Sequence, residues 1–188
     1  MTRRELIADA GVRLIARSGA HGLTHLLVDA EAQLPRGSTS YYARTRRDLI
    51  ALVVQRLSEG SQTDIDQLSV PDVLTREEAA RVTTGILDRM AHREDAQAAR
   101  FTLLFELRHD DELRAELSDE APVRAPLIAQ AENLLRAAGI PEPQTHAVTL
   151  VGLVDALLMY RASNAAPIDA PGVLRAYFLG LPDHPPVA

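Results

Sequence analysis

An all-α fold of about nine helices is predicted by three observations on the sequence. Apolar residues recur at the helical period along almost the whole chain, alternating strand patterns are nearly absent, and capping residues and stops punctuate the periodic runs. The chain has 188 residues, 46% hydrophobic and 24% charged, so it can bury a core without staples and has the composition of a globular protein. It contains no cysteine, which excludes a disulfide framework, a thiolate zinc site and a thiol nucleophile. No apolar run approaches the roughly 18–20 residues that span a bilayer, and the opening MTRRELIADAG lacks a signal-peptide pattern. A cytoplasmic protein is expected, with no membrane partner.

Each element follows from local signals. Leu6, Ile7, Ala10, Leu14 and Ile15 form one apolar stripe that stops at Ser18-Gly19. Thr24 can cap a short helix of about His25 to Ala32. Leu34-Pro35-Arg36-Gly37 breaks the pattern, and a second short helix follows near Arg36 to Ala43. Thr45 can cap a longer helix bearing Leu49, Leu52, Val53 and Leu57, which extends to about Asp66. Thr75 and Glu78 make a capping box for a helix to about His92, and the pattern resumes from Glu94 through Leu107. A charged turn and helix (DDELRAEL) comes next. Pro126 begins a segment that stops at Gly139, and Pro141 and Pro143 separate it from QTHAVTLVGLVDALLMYRASN. Within that run, Val148 to Leu158 is apolar on nearly every face, so burial on more than one side is expected. Val173, Leu174, Tyr177, Phe178 and Leu181 form a last short amphipathic helix, and DHPPVA a frayed tail.

Charge is unevenly distributed. The net charge of -6 divides into +4 over residues 1–56, where nine Arg face five acids, and -10 over the rest. A basic head on an acidic body points to polyanion binding at one end, with ordinary surface charge as the alternative. All 20 basic residues are Arg. The head also holds two short helices across a tight break, flanked by longer ones, which is the helix-turn-helix arrangement. An α-helix fits the major groove of DNA, and side chains near its N-terminal end reach base edges. In LPRGSTSYYARTRR, Arg36 is a candidate guanine reader and Ser38, Thr39 and Ser40 are small hydrogen-bonding groups. Arg44, Arg46 and Arg47 are placed to meet phosphates. Catalysis has little support: there is no glycine-rich phosphate loop, HExxH or GxSxG, so no enzyme and no cofactor is expected. His109-Asp110-Asp111-Glu112 are adjacent and diverge around a helix, so no metal site is expected either.

Residues 6–50 resemble the DNA-binding domain of the tetracycline-repressor (TetR) family of bacterial transcriptional regulators. The likeness is carried by Leu6-Ile7, Ala10, Leu14-Ile15-Ala16 and Gly19, then Gly22-Leu23-Thr24-His25 with Val28, then Leu34 through Tyr42. It covers about a quarter of the chain. The resemblance implies an N-terminal helix-turn-helix domain over 1–47 and a helical effector-binding and dimerisation domain over 48–188. It implies a homodimer on a pseudo-palindromic double-stranded DNA operator, acting as a repressor released by a small molecule. DNA contacts are then expected from Thr24, His25, Arg36, Gly37, Ser38, Thr39, Ser40, Tyr42 and Arg46. Met90, Phe101, Leu104, Phe105, Arg108 and His146 are candidates to line an effector pocket, with ordinary core as their alternative role. Val151, Val154, Leu158, Val173 and Tyr177 are candidates for the dimer interface.

Four residues depart from the family pattern. Gln33 stands where the turn normally carries glycine, and a non-glycine residue in the left-handed region costs roughly 1–2 kcal/mol. Ala43 replaces an aromatic core anchor, and Leu26 stands where many members have a polar or basic residue. Asp29 takes a position usually small and apolar; buried, it needs a partner, for which an Arg of the first or fourth helix is the candidate. Leu26, Gln33 and Ala43 keep a second function open, a helical interaction or adaptor module of this fold that has lost specific DNA binding.

Overall fold

The computed structural model describes residues 1–118 and 121–183, so the expected tail beyond Asp183 lies outside the described residues. Among these residues there are ten α-helices, one short 3-10 turn (Ala20–Gly22) and no strand. The helices are α1 (Arg3–Ser18), α2 (His25–Glu31), α3 (Ser38–Tyr42), α4 (Arg46–Asp66), α5 (Arg76–Ala91), α6 (Glu94–Glu106), α7 (Asp111–Ala115), α8 (Arg124–Ala137), α9 (Pro143–Ala162) and α10 (Ala170–Gly180). The expected count was about nine, and the charged turn and helix expected at DDELRAEL forms as the five-residue α7. The caps read from sequence form: Thr24 accepts from the Leu27 N–H, and Thr75 and Glu78 close a reciprocal capping box.

Contacts divide the chain into two compact units that do not follow chain order. The first contains Met1–Thr63 and Glu94–Arg124; the second contains Asp64–Arg93 and the chain from Ala125 onward. In the first, Ile7, Leu14 and Ile15 of α1, Val28 of α2, Leu49 and Val53 of α4 and Leu103 of α6 share one core. Each such burial contributes roughly 1.5–3 kcal/mol. Gly11 is required there, because a Cβ at that position would lie 2.5 Å from a Val53 methyl and push α1 off α4. Phe101 is half-buried in this unit and Leu104 packs against its core, whereas Phe105 is 65% exposed.

In the second unit α5 packs against α9 and α10, around Leu87, Leu157, Leu158, Leu174 and Phe178. Arg76 donates to the carbonyls of Phe178, Leu181 and Pro182, satisfying acceptors that the end of α10 leaves open. Arg175 and Glu77 add a bidentate ion pair between α10 and α5 at 2.6 Å. The apolar α9 turns out to bury one side only. Ala147, Leu150, Val151, Leu157 and Leu158 are inside, while Val148, Gly152, Ala156, Met159 and Tyr160 face solvent. Val151 and Leu158, expected at a dimer interface, are thus core residues of their own unit. A helix apolar all round carries no signal in sequence for which side its protomer takes. No described helix is long and apolar enough to cross a membrane.

Candidate nucleic-acid interface

The link from α2 to α3 is built around a buried carboxylate. Asp29, 2% exposed, sends one oxygen to the Thr39 N–H at 2.7 Å and the Thr39 hydroxyl at 2.6 Å. Its other oxygen accepts from the Gly37 N–H at 2.7 Å. These donors, and not an arginine, are the partner that the sequence required. Helix N-termini carry unpaired N–H groups and partial positive charge, so a carboxylate is well placed there. Burial works to raise the Asp29 carboxyl, but the Thr39 hydroxyl and the two N–H groups outweigh it and hold it below the usual carboxylate range. Thr39, expected among the DNA contacts, is fully buried by this bond and turned inward. At the other end of α3 the His25 ring donates from Nε2 to the Ala43 carbonyl at 2.8 Å. Ala43, where the resemblance implies an aromatic anchor, is buried in the core of this unit. Gln33 adopts φ 55°, the left-handed conformation for which the family uses glycine.

With both ends of α3 held against α2, its outer side is free. Arg36, Gly37, Ser40 and Tyr42 are exposed, Ser38 is half-buried with its hydroxyl donating to the Pro35 carbonyl, and Tyr41 is 84% exposed. Thr24 is exposed at the start of α2, the position from which a hydroxyl can reach a phosphate. The charges sort in a way that sequence did not reveal. Glu5 caps α1, Asp9 pairs with Arg56, and Glu31 takes both Arg13 and Arg17. The Arg17 hydrogen bond, then that of Arg13, holds Glu31 below the usual carboxylate range. Asp48 accepts the Thr45 and Arg44 N–H groups. Every acid of residues 1–56 is therefore engaged internally, while the Arg36 and Arg44 guanidinium groups have no partner among the described residues. Arg46 donates to the Ala20 carbonyl at 2.7 Å, and Arg47 is paired with Asp110 and Glu112 at 3.1 and 2.8 Å. The run from His109 to Glu112 serves this pairing and the N-cap of α7. No metal-holding group of three His, Cys, Asp or Glu occurs among the described residues.

The second unit contains a cavity of about 50 Å³. Its walls are apolar, from Leu68, Val70, Ile86, Leu134, Leu150 and Val154 among others, with Thr83, Gln130 and Asp155 as the polar groups. Of the six residues proposed from sequence for an effector pocket, Met90 alone lines it. Phe101, Leu104, Phe105 and Arg108 belong to the first unit, and His146 is half-buried away from the cavity wall, its carbonyl accepting from the Tyr177 hydroxyl at 3.2 Å. The aromatic residues of α6 belong to the first unit, whereas the cavity lies where α5, α8 and α9 of the second unit enclose aliphatic side chains. Val151 and Val154, expected at an interface, are in its wall.

Comparison with known proteins identifies the architecture. The family described as "Tetracyclin repressor-like, C-terminal domain" matches residues 74–183, more than half of the chain. The chain belongs to the TetR family. Among solved structures, a TetR-family member from Streptomyces coelicolor shares 26% identity at a TM-score of 0.68, covering 97% of this chain and 99% of that one. The multidrug binding protein EbrR, complexed with ethidium, shares 26% identity at a TM-score of 0.65, covering 96% of this chain and 99% of its own. A transcriptional regulator from Rhodococcus has the same fold, with a TM-score of 0.75 at 18% identity and coverage of 98% and 100%. None of the curated proteins matches the sequence. The TetR assignment accounts for the N-terminal helix-turn-helix and the helical C-terminal domain together.

Proposed function

We propose that this TetR-family regulator is a cytoplasmic homodimer that binds a pseudo-palindromic DNA operator as a repressor and is released by a small apolar effector. Residues 1–47 read DNA, and residues 48–188 bind the effector and dimerise. The observation that carries the reading is the charge sorting in the head: all five acids are consumed internally, leaving Arg36 and Arg44 free beside the outer side of α3. Arg36 and Ser40 approach base edges, while Thr24, Tyr42 and Arg44 meet phosphates. One head covers too few base pairs for specific affinity, so two are needed, about 34–36 Å or one DNA turn apart. The exposed Val148, Gly152, Ala156 and Met159 of α9, with Leu179 of α10, supply the apolar face that a second copy covers.

Effector binding is supported by the cavity and by EbrR, which is described with imidazole, proflavin and ethidium bound. Ligand pockets hold roughly 300–1,000 Å³, so at about 50 Å³ this cavity must widen to admit one. Leu68 and Val70 in its wall directly follow α4, one uninterrupted helix that begins beside the DNA-reading residues. Displacing them moves that lever, and a differential affinity of about 1–3 kcal/mol between the two states gives roughly 5–150-fold release. Footprinting of the purified protein on the DNA upstream of its own gene tests the reading. A symmetric protected site, lost on adding an effector from a metabolite panel, is expected; no protection at low salt refutes it.

A further inference from the structure

The cavity of the second unit has a polar chemistry of one kind. Apart from Thr83, Gln130 and Asp155 its lining residues are apolar, and Asp155 is the only one of them that can carry a charge. No arginine or histidine lines it. Asp155 stands on α9 four residues after Val151 and next to Val154, so its half-buried carboxylate shares the helix face that walls the cavity. Thr83, on α5, is 3% exposed, and its hydroxyl donates to the Ala79 carbonyl at 2.8 Å. With that proton engaged, the hydroxyl can only accept from a molecule in the cavity. An ionised carboxylate likewise only accepts. Among the lining residues Gln130 alone has a side-chain N–H to donate. The wall is thus aliphatic, negatively charged at one point, and rich in acceptors relative to donors.

We propose that this cavity selects a protonated amine, an apolar body whose ammonium N–H donates to the Asp155 carboxylate. The inference rests on the effector site proposed above and adds the charge and the hydrogen-bonding sense of its ligand. A carboxylate ligand would bring like charge beside Asp155 in an apolar enclosure that holds no basic group to offset it. A hydrocarbon would displace water from Asp155 and give no hydrogen bond in return. An ammonium group replaces that water with a charge-assisted bond, while its apolar body covers the aliphatic wall. An ionised carboxylate has about four acceptor sites, so Asp155 can take a ligand N–H besides its interactions within the protein. A bare calcium-like cation needs about six oxygen ligands, more than this wall supplies. The second unit as a whole holds eleven carboxylates against seven arginines, so its field also draws cations.

The test uses three probes that share one ring system and differ in the charge of its substituent: naphthylmethylamine, naphthylmethanol and naphthoate. The chain has no tryptophan, so naphthalene fluorescence anisotropy reports binding to the full-length protein without indole emission. At neutral pH the amine should bind about tenfold more tightly than the alcohol, the value of one charge-assisted hydrogen bond, and the carboxylate more weakly than either. Asp155→Asn should bring the amine down to the affinity of the alcohol and leave the alcohol where it was, and Asp155→Glu should keep the preference. The unchanged alcohol shows that the cavity of the variant is intact. A preference for the alcohol or the carboxylate in the wild-type protein overturns this inference alone. So does an amine preference that survives Asp155→Asn, or a variant that loses amine and alcohol equally. Absence of saturable binding by all three probes overturns the effector site itself and this inference with it.

Discussion

Replacing Asp29 tests the joint that presents α3. In Asp29→Asn one oxygen becomes an NH2 group. If the remaining oxygen keeps the Thr39 N–H and hydroxyl, the NH2 faces the Gly37 N–H, donor against donor. Hydrogen bonds to a charged group contribute about 1.5–3 kcal/mol each, and a buried donor without a partner costs about 1–3 kcal/mol. Losing the charge and one bond should therefore cost about 2–3 kcal/mol, and Asp29→Ala, which loses all three bonds, about 3–5 kcal/mol. For a chain of this size each kcal/mol lowers Tm by about 2–4 °C, so thermal melts at pH 7 should show Asp29→Asn roughly 5–10 °C below wild type. The sign with pH follows from the depressed carboxyl. Its stabilisation is fully present above the unfolded carboxylate value near about 4 and is lost as pH falls through the lower folded value. The gap between wild type and Asp29→Asn should narrow progressively as pH falls below about 4. A variant melting within about 1 °C of wild type at pH 7, or a gap that stays constant into acid, would refute the argument.

Three further outcomes are expected. Gln33→Gly should stabilise the protein by about 0.5–1 kcal/mol in urea unfolding, because glycine takes the observed φ of 55° without steric cost; destabilisation would mean that the Gln33 side chain matters more than its backbone. Arg36→Ala should lose about 1–3 kcal/mol of discrimination between operator and random DNA, whereas Arg44→Ala should weaken both alike and flatten the salt slope by about one, both read by binding isotherms across a salt series. Ala156→Glu, on the exposed side of α9, should sediment as a folded monomer, while Val151→Asp on the buried side should unfold the second unit; equal behaviour of the two would contradict the assigned faces.

What the sequence determined by itself was whatever depends on residues a few positions apart. The helices and their caps at Thr24 and Thr75 follow from hydroxyls and carboxylates acting within one turn. The left-handed turn at Gln33 was expected from the family resemblance, in which glycine stands at that position, and not from any local pattern in this chain. The tertiary structure alone decided matters of facing. It turned Thr39 inward and gave Asp29 the α3 N–H groups as partners, a bond across eight to ten residues that no period encodes. It placed Val151 and Leu158 inside and left Val148 and Ala156 outside, on a helix whose sequence is apolar on both sides. It also enclosed the cavity with aliphatic residues of α5, α8 and α9 and left Phe105 in solvent. Burial is a property of the neighbours that arrive from distant parts of the chain, so it becomes definite only when those parts have packed.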